Sequence, residues 1–129
     1  MTAGLSIANL ANKILDHLRG GTAWTQPAGL YCALHKGDPG SAGTSNASAV
    51  TTRVAVSFAA ASNGAIGMTG TAPSWNMTTM ETISHISIWT ASSGGSFLFS
   101  IAFSSGKDVL PSDVLTLTSV GVALSPLAA

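Results

Sequence analysis

The change in hydrophobic period at Gly20-Gly21 constrains the fold of this chain more than any other feature. Before it, apolar residues recur every three or four positions, which is typical of one face of a helix. This stripe consists of Ile7, Leu10, Ala11, Ile14, Leu15 and Leu18. Ser6 can cap the first turn, and the two glycines can end the helix with a positive φ. We therefore predict a single amphipathic helix over about residues 5–19.

After the two glycines the apolar residues alternate, which is typical of β-strands. The segment Leu30–His35 begins this pattern, and Lys36–Ser48 is a predicted long loop. Asn63-Gly64 predicts a hairpin tip. The clearest strand carries Phe97, Phe99, Ile101 and Phe103 on one face. We expect these four side chains to line the core. The last strand is predicted over about 114–124, with a bulge near Gly121 where the apolar phase shifts.

The number and spacing of the strands predict the fold class. Six to eight short strands, with turn residues every eight to twelve positions, indicate a sandwich or a small barrel. A doubly wound sheet would need alternating strand and helix patterns, which the sequence lacks. A length of 129 residues suits one domain. We predict a mainly β chain in which residues 1–129 form a single jelly-roll-like β-sandwich behind one N-terminal helix, with strands from about 29 to 124.

The scarcity of charge excludes several classes of partner. Only 8% of the residues are charged, and five lysines and arginines balance five acids. A nucleic-acid-binding face would need clustered cations, so we predict no nucleic-acid partner. No apolar run reaches the roughly 20 residues that cross a bilayer, so no membrane partner is predicted either. A neutral surface does not oppose association, which favours a subunit of an assembly.

The residues that could carry catalysis are few and scattered. Asp38 and Asp108 lie in turn-like sequences, where aspartate commonly bonds its own backbone. Cys32 and His35 are three positions apart on a predicted strand, so their side chains point to opposite faces. This spacing argues against a pair of zinc ligands. We expect a buried thiol and a surface imidazole instead. Neither a Gly-x-Ser-x-Gly turn nor a phosphate-binding Gly-rich loop is present. We predict no catalytic, cofactor or metal site, and no enzymatic activity.

The three tryptophans leave two interpretations open. Trp24, Trp75 and Trp89 could stack on sugars or anchor an interface. Aromatic residues are enriched at protein contacts, so we favour core or subunit-interface positions for Trp75 and Trp89. The alternative is a glycan-binding module that touches the host surface.

Two stretches of the chain resemble a family of small proteins from tailed bacteriophage particles. The first spans Asn12–Pro39 and contains the turn Gly20–Trp24. The second spans Ile83–Leu98 and contains the turn Ala91–Gly95. The order of these motifs along the chain is similar to the order in proteins labelled tail fibre, minor tail or capsid decoration protein. The loop Gly40–Arg53 departs from the family's pattern. Such a change in a loop affects the choice of binding partner more than it affects the fold.

The resemblance implies a non-enzymatic structural protein of the virion, assembled in the bacterial host cytoplasm. A fibre usually needs a shaft and a tip, and 129 residues leave little room for both. We therefore favour an accessory capsid decoration subunit that cements the shell, over a minor tail or tail fibre protein. The expected partners are the major capsid or tail proteins of the phage.

Apolar residues on both faces of the predicted strands favour a homo-oligomer. Trp89 lies opposite Ile86 and Ile88, and one sandwich has a single interior, so the surplus surface must meet the helix or another subunit. A trimer is the leading expectation, by analogy with the decoration role. The candidate interface residues are Leu10, Ile14, Trp24, Pro27 and Trp89. The competing hypothesis is that the helix only covers one end of its own sandwich.

Overall fold

The N-terminal helix forms where the apolar stripe predicts it. The computed structural model describes residues 2–128. The helix begins with a π-helical turn, Ile7–Ala11, and continues as α1, Asn12–Leu18. The Ser6 hydroxyl caps it by accepting a hydrogen bond from the backbone N–H of Asn9 at 3.3 Å. Beyond the helix, Gly20 takes a φ of +77°. The predicted helix is confirmed to within two residues at either end.

The remaining regular structure consists of antiparallel strands in two sheets. The strands are β1 Leu30–His35, β2 Val54–Phe58, β3 Ala65–Thr69, β4 Ser74–Asn76, β5 Glu81–Trp89, β6 Phe97–Val109, β7 Val114–Thr116 and β8 Gly121–Ala123. Six of them form a large sheet in the order β6-β5-β1-β2-β3-β8, and β4 pairs with β7 in a small ribbon. Asn63 and Gly64 both take positive φ values between the paired strands β2 and β3, which confirms the hairpin tip.

The ribbon packs on the large sheet around one apolar core. The large sheet contributes Cys32, Leu34, Val56, Ile83, Ile86, Ile88 and Phe99. The ribbon and its flanks contribute Trp75, Met77, Leu117 and Val120. The indole Nε1–H of Trp75 also donates to the Thr52 carbonyl at 2.9 Å, which joins the ribbon to the segment before β2. The mainly β, sandwich-like fold behind one helix is thereby confirmed, with six strands in one layer and two in the other.

The segment before the helix extends the large sheet at the start of β6. The Ser6 N–H donates to the Leu98 carbonyl at 2.7 Å, and the Ser100 N–H donates to the Gly4 carbonyl at 2.9 Å. This short antiparallel pairing places the helix beside the β5–β6 turn. Leu10 then reaches the core, where only 7% of its surface is exposed.

The prediction of one long final strand is wrong. Val114–Thr116 pairs with β4 in the ribbon, whereas Gly121–Ala123 pairs with β3 in the large sheet. The shift in apolar phase therefore marks the point where the chain crosses from one sheet to the other. A bulge would produce the same shift within a single strand.

Phe97 departs from the face predicted for it. A register irregularity pairs Ile88 with Phe99 but Trp89 with Phe97. Phe97 consequently packs on Trp89, with ring centroids 5.7 Å apart, and lies outside the main apolar cluster. Gly43 completes this second cluster: a Cβ there would lie 2.5 Å from the Phe97 ring, and its φ is +74°. Phe99 is buried in the core as expected, while Ile101 and Phe103 are half-buried against it.

Candidate functional site

A cleft of about 500 Å³ opens where the helix, the Ala23–Ala28 segment and the β5–β6 turn meet. Its polar walls are formed by Asn9, Lys13, Thr25, Thr90 and Ser96. Its apolar walls are formed by Ala23, Trp24, Pro27, Ala28 and Leu98. The cleft is the place where helix, loop and sheet all contribute side chains, and we call it the Trp24 cleft.

Hydrogen bonds to the backbone hold the walls of the Trp24 cleft. The Asn9 side-chain amide donates to the Phe97 carbonyl at 3.0 Å. The Thr90 hydroxyl accepts from the Ser96 N–H at 2.9 Å, which fixes the turn. The Trp24 backbone N–H donates to Nδ1 of His17 at 3.3 Å, which ties the loop to the end of the helix. These contacts tie the helix, the loop and the β5–β6 turn in place around the cleft.

The predicted interface residues fall into two groups. Leu10 and Trp89 are buried within the chain, at 7% and 8% exposure, so a partner reaches them only if the domain opens. Ile14, Trp24 and Pro27 are half-buried. Leu10 and Ile14 pack on the core of their own chain, as the competing hypothesis expects. The interface role of these five residues stays a prediction.

Exposed apolar residues on the helix and just before it form a group that we call the helix patch. It consists of Leu5, Ile7, Leu15 and Leu18. Leu18 is 79% exposed and Ile7 is 73% exposed, although both belong to the predicted apolar stripe. The stripe is therefore wider than the surface that the chain itself can cover.

A second exposed apolar group lies at the end of the β5–β6 ladder that is far from the β5–β6 turn. We call it the ladder-end patch. It consists of Met80, Leu110 and Val114. Met80 and Leu110 directly adjoin the Glu81–Val109 pair that ends the ladder. The helix, by contrast, lies beside the β5–β6 turn. Sequence reasoning missed this patch, because its residues come from separate segments. The β5–β6 ladder and the turn from Leu110 to Asp113 bring those segments together.

Trp89 is covered by a cation that sequence reasoning also missed. The Arg53 guanidinium carbon lies 3.7 Å from the centroid of the Trp89 ring. Its Nη1 donates to the carbonyls of Ala91 (2.9 Å) and Gly94 (2.6 Å), which anchors the β5–β6 turn. Partial burial lowers the pKa of Arg53 from its ordinary value. The Arg53–Trp89 pair is thus a structural clamp on the turn.

The prediction of a surface imidazole at His35 is wrong, because the Lys36–Ser48 loop folds back over it. His35 is only 2% exposed. Its Nδ1 bonds the Ser45 carbonyl at 2.9 Å, and its Nε2 bonds the Ser87 hydroxyl at 2.7 Å. Since a carbonyl only accepts, Nδ1 carries the proton and Nε2 accepts from Ser87. The Ser87 oxygen accepts in turn from Trp89 Nε1 at 2.8 Å. Burial lowers the pKa of His35, so the neutral ring fits this chain of bonds.

The remaining candidates for chemistry are held in structural roles. Burial raises the pKa of the Cys32 thiol to about 12, which suppresses the reactive thiolate near neutral pH. Asp38 accepts from the Gly40 N–H at 2.8 Å, which confirms its turn role. The turn prediction for Asp108 is wrong, because it lies in β6 and accepts from Thr82 across the ladder. Within residues 2–128, no group of three or more His, Cys, Asp or Glu side chains could hold a metal ion.

Comparison with known proteins identifies a family. Residues 6–125 match the family model described as podophage GP4 fiber I protein gp80. The match covers the whole helix and both sheets. A search of curated proteins finds no match. Among residues 2–128, no helix has the length and apolar character that crossing a membrane requires.

Proposed function

Because the chain belongs to the family of the podophage GP4 fiber I protein gp80, a family of tailed-phage virion proteins, we propose that it is a non-enzymatic structural subunit of the phage fibre. The family description supports the minor tail or fibre hypothesis over capsid decoration. The size argument for decoration loses its force if short subunits join to build a longer fibre. In this proposal the chain is made in the bacterial host cytoplasm and joins the virion there.

The observation that carries the proposal is the placement of two different apolar patches at opposite ends of the β5–β6 ladder. The nine residues of β5 separate them by roughly 27 Å, at about 3.4 Å per residue. Burying a large apolar side chain contributes about 1.5–3 kcal/mol of free energy. Association that buries both patches is therefore favourable. A zero formal net charge puts no long-range repulsion in the way of a second copy.

Two unlike patches favour head-to-tail contacts. When the helix patch of one copy meets the ladder-end patch of the next, the contact is heterologous, and it closes into a ring or continues as a stack. A trimeric ring is one such closed arrangement, and it agrees with the trimer that we expect from the sequence. The subunit would also dock on a tail protein of the phage through whichever patch stays open at the end of the assembly.

Complementation between two variants tests this arrangement. Leu18→Glu alters only the helix patch, and Val114→Glu alters only the ladder-end patch; both side chains are exposed. Each variant alone should stay a monomer by light scattering, and their equimolar mixture should form a dimer through the one intact pair of patches. Leu124→Glu, at a residue that is 61% exposed and outside both patches, is the matched control and should assemble like the wild type. A mixture that remains monomeric would contradict the head-to-tail contact.

The non-enzymatic part of the proposal has a separate test. The purified protein is incubated with generic ester, peptide and glycoside substrates. We expect no turnover above the buffer rate. Turnover that survives repurification and is lost in a single-residue variant would overturn this part while leaving the assembly result intact.

A further inference from the structure

We infer that the Trp24 cleft is a saccharide-binding site, which goes beyond the structural role proposed above. The ligand class is a hydroxyl-rich sugar, bound between the Trp24 ring and the polar walls. A volume of about 500 Å³ falls within the roughly 300–1,000 Å³ that is typical of small-ligand sites.

Trp24 differs from the other two tryptophans in what its indole ring contacts. Trp75 and Trp89 are buried, and their Nε1–H groups donate to Thr52 and Ser87. Trp24 is half-buried and lines the cleft, and within residues 2–128 no hydrogen bond joins its Nε1–H to a protein acceptor. A partly exposed aromatic ring with an available donor suits a sugar, because a sugar offers C–H groups to the ring and oxygens to the donor.

The polar walls supply both donors and acceptors, as sugar hydroxyls require. Asn9 uses its amide N–H on the Phe97 carbonyl, which leaves its side-chain oxygen as an acceptor. Thr90 accepts from Ser96 N–H, and its own hydroxyl proton can still be donated. The Ser96 hydroxyl lies on the same wall.

The charge of the cleft excludes other ligand classes. Lys13 is its one cation, and in the described part of the chain the one ion pair joins Arg19 to Asp16, so Lys13 is available. A polyphosphate would need several cations, whereas an apolar ligand would leave the polar walls unsatisfied. A sugar satisfies both walls, and Lys13 can bond a ring hydroxyl or a single carboxylate.

A panel of oligosaccharides tests the inference. The full-length protein is screened against neutral hexose, N-acetylhexosamine and uronic acid oligomers, and the best binder is titrated by calorimetry. We expect binding, with Trp24→Ala weakening it by about tenfold or more and Trp24→Phe retaining most of it. Since Trp24 also packs on the core, circular dichroism of Trp24→Ala must first show the wild-type fold.

Variants at exposed positions keep the test decisive if Trp24→Ala does not fold. Lys13→Met and Ser96→Ala alter the walls of the cleft and should each weaken binding several-fold. Leu18→Glu, which breaks the helix patch, should leave sugar affinity unchanged, so failure of assembly and failure of sugar binding are distinguishable. No binding across the panel at millimolar sugar, or wild-type affinity in all the cleft variants, would overturn the inference.

Discussion

Leu10 and Leu18 belong to the same apolar stripe of one helix, yet the structure treats them in opposite ways. Leu10 is 7% exposed and packs in the core, whereas Leu18 is 79% exposed. Backbone pairing holds the segment just before the helix to β6, and the helix then leads away from the sheet. The difference shows that amphipathicity measures how much surface a helix has to bury, and not which partner buries it. Half of this stripe is buried by its own chain, and the other half stays exposed.

The largest expected effect lies in the shared core on which Leu10 packs. Phe99→Ala removes a buried ring from the large sheet, where the side chain is 5% exposed. We expect a loss of about 3–5 kcal/mol in the free energy of unfolding. Denaturant titration followed by tryptophan fluorescence measures it. A loss below about 1 kcal/mol would show that this face is not the core.

The two leucines provide the direct test of the comparison. Leu10→Ala should lower the free energy of unfolding by about 2–5 kcal/mol, because it leaves a cavity between the helix and β6. Leu18→Ala should change it by less than about 0.5 kcal/mol under conditions where the protein is monomeric. Equal losses in the two variants would mean that the helix packs differently.

Removing a polar contact under the Lys36–Ser48 loop should lower the free energy of unfolding by less than removing a side chain of the apolar core. Ser87→Ala removes the donor to His35 and the acceptor for Trp89, and both ring nitrogens stay buried. We expect a loss of about 1–3 kcal/mol in the free energy of unfolding. Ser104→Ala, at an exposed position of β6, is the matched control and should be nearly neutral. A neutral Ser87→Ala would show that the buried network does not stabilise the loop.

The lowered pKa of His35 predicts how the stability of the fold depends on pH. Its pKa in the folded state lies below the ordinary value of 6.5, so the unfolded chain takes up the proton first as pH falls. This contribution is fully present above about pH 6.5 and declines as pH drops toward the folded-state pKa. His35→Gln should flatten the profile in that window, and His17→Gln, an exposed control, should not. An unchanged profile in His35→Gln would refute the assignment.

Local patterns in the sequence predicted the helix, β1, the hairpin tip and the mainly β class, because each depends on neighbouring residues. The split between β7 and β8 could not be predicted, since crossing to another sheet and inserting a bulge shift the apolar phase alike. The burial of His35 depends on a loop that closes over it, and alternation alone cannot show that. The Trp24 cleft joins residues up to 89 positions apart in sequence, from Asn9 to Leu98, so only the fold brings them together.

The mass of the wild-type protein in solution decides whether the chain associates with itself. Light scattering coupled to size exclusion is measured from low to high micromolar concentration. We expect an oligomer, with the helix patch and the ladder-end patch buried between copies. A monodisperse monomer over the whole range would contradict self-association, and would leave both patches to partners that the subunit meets only on the phage particle.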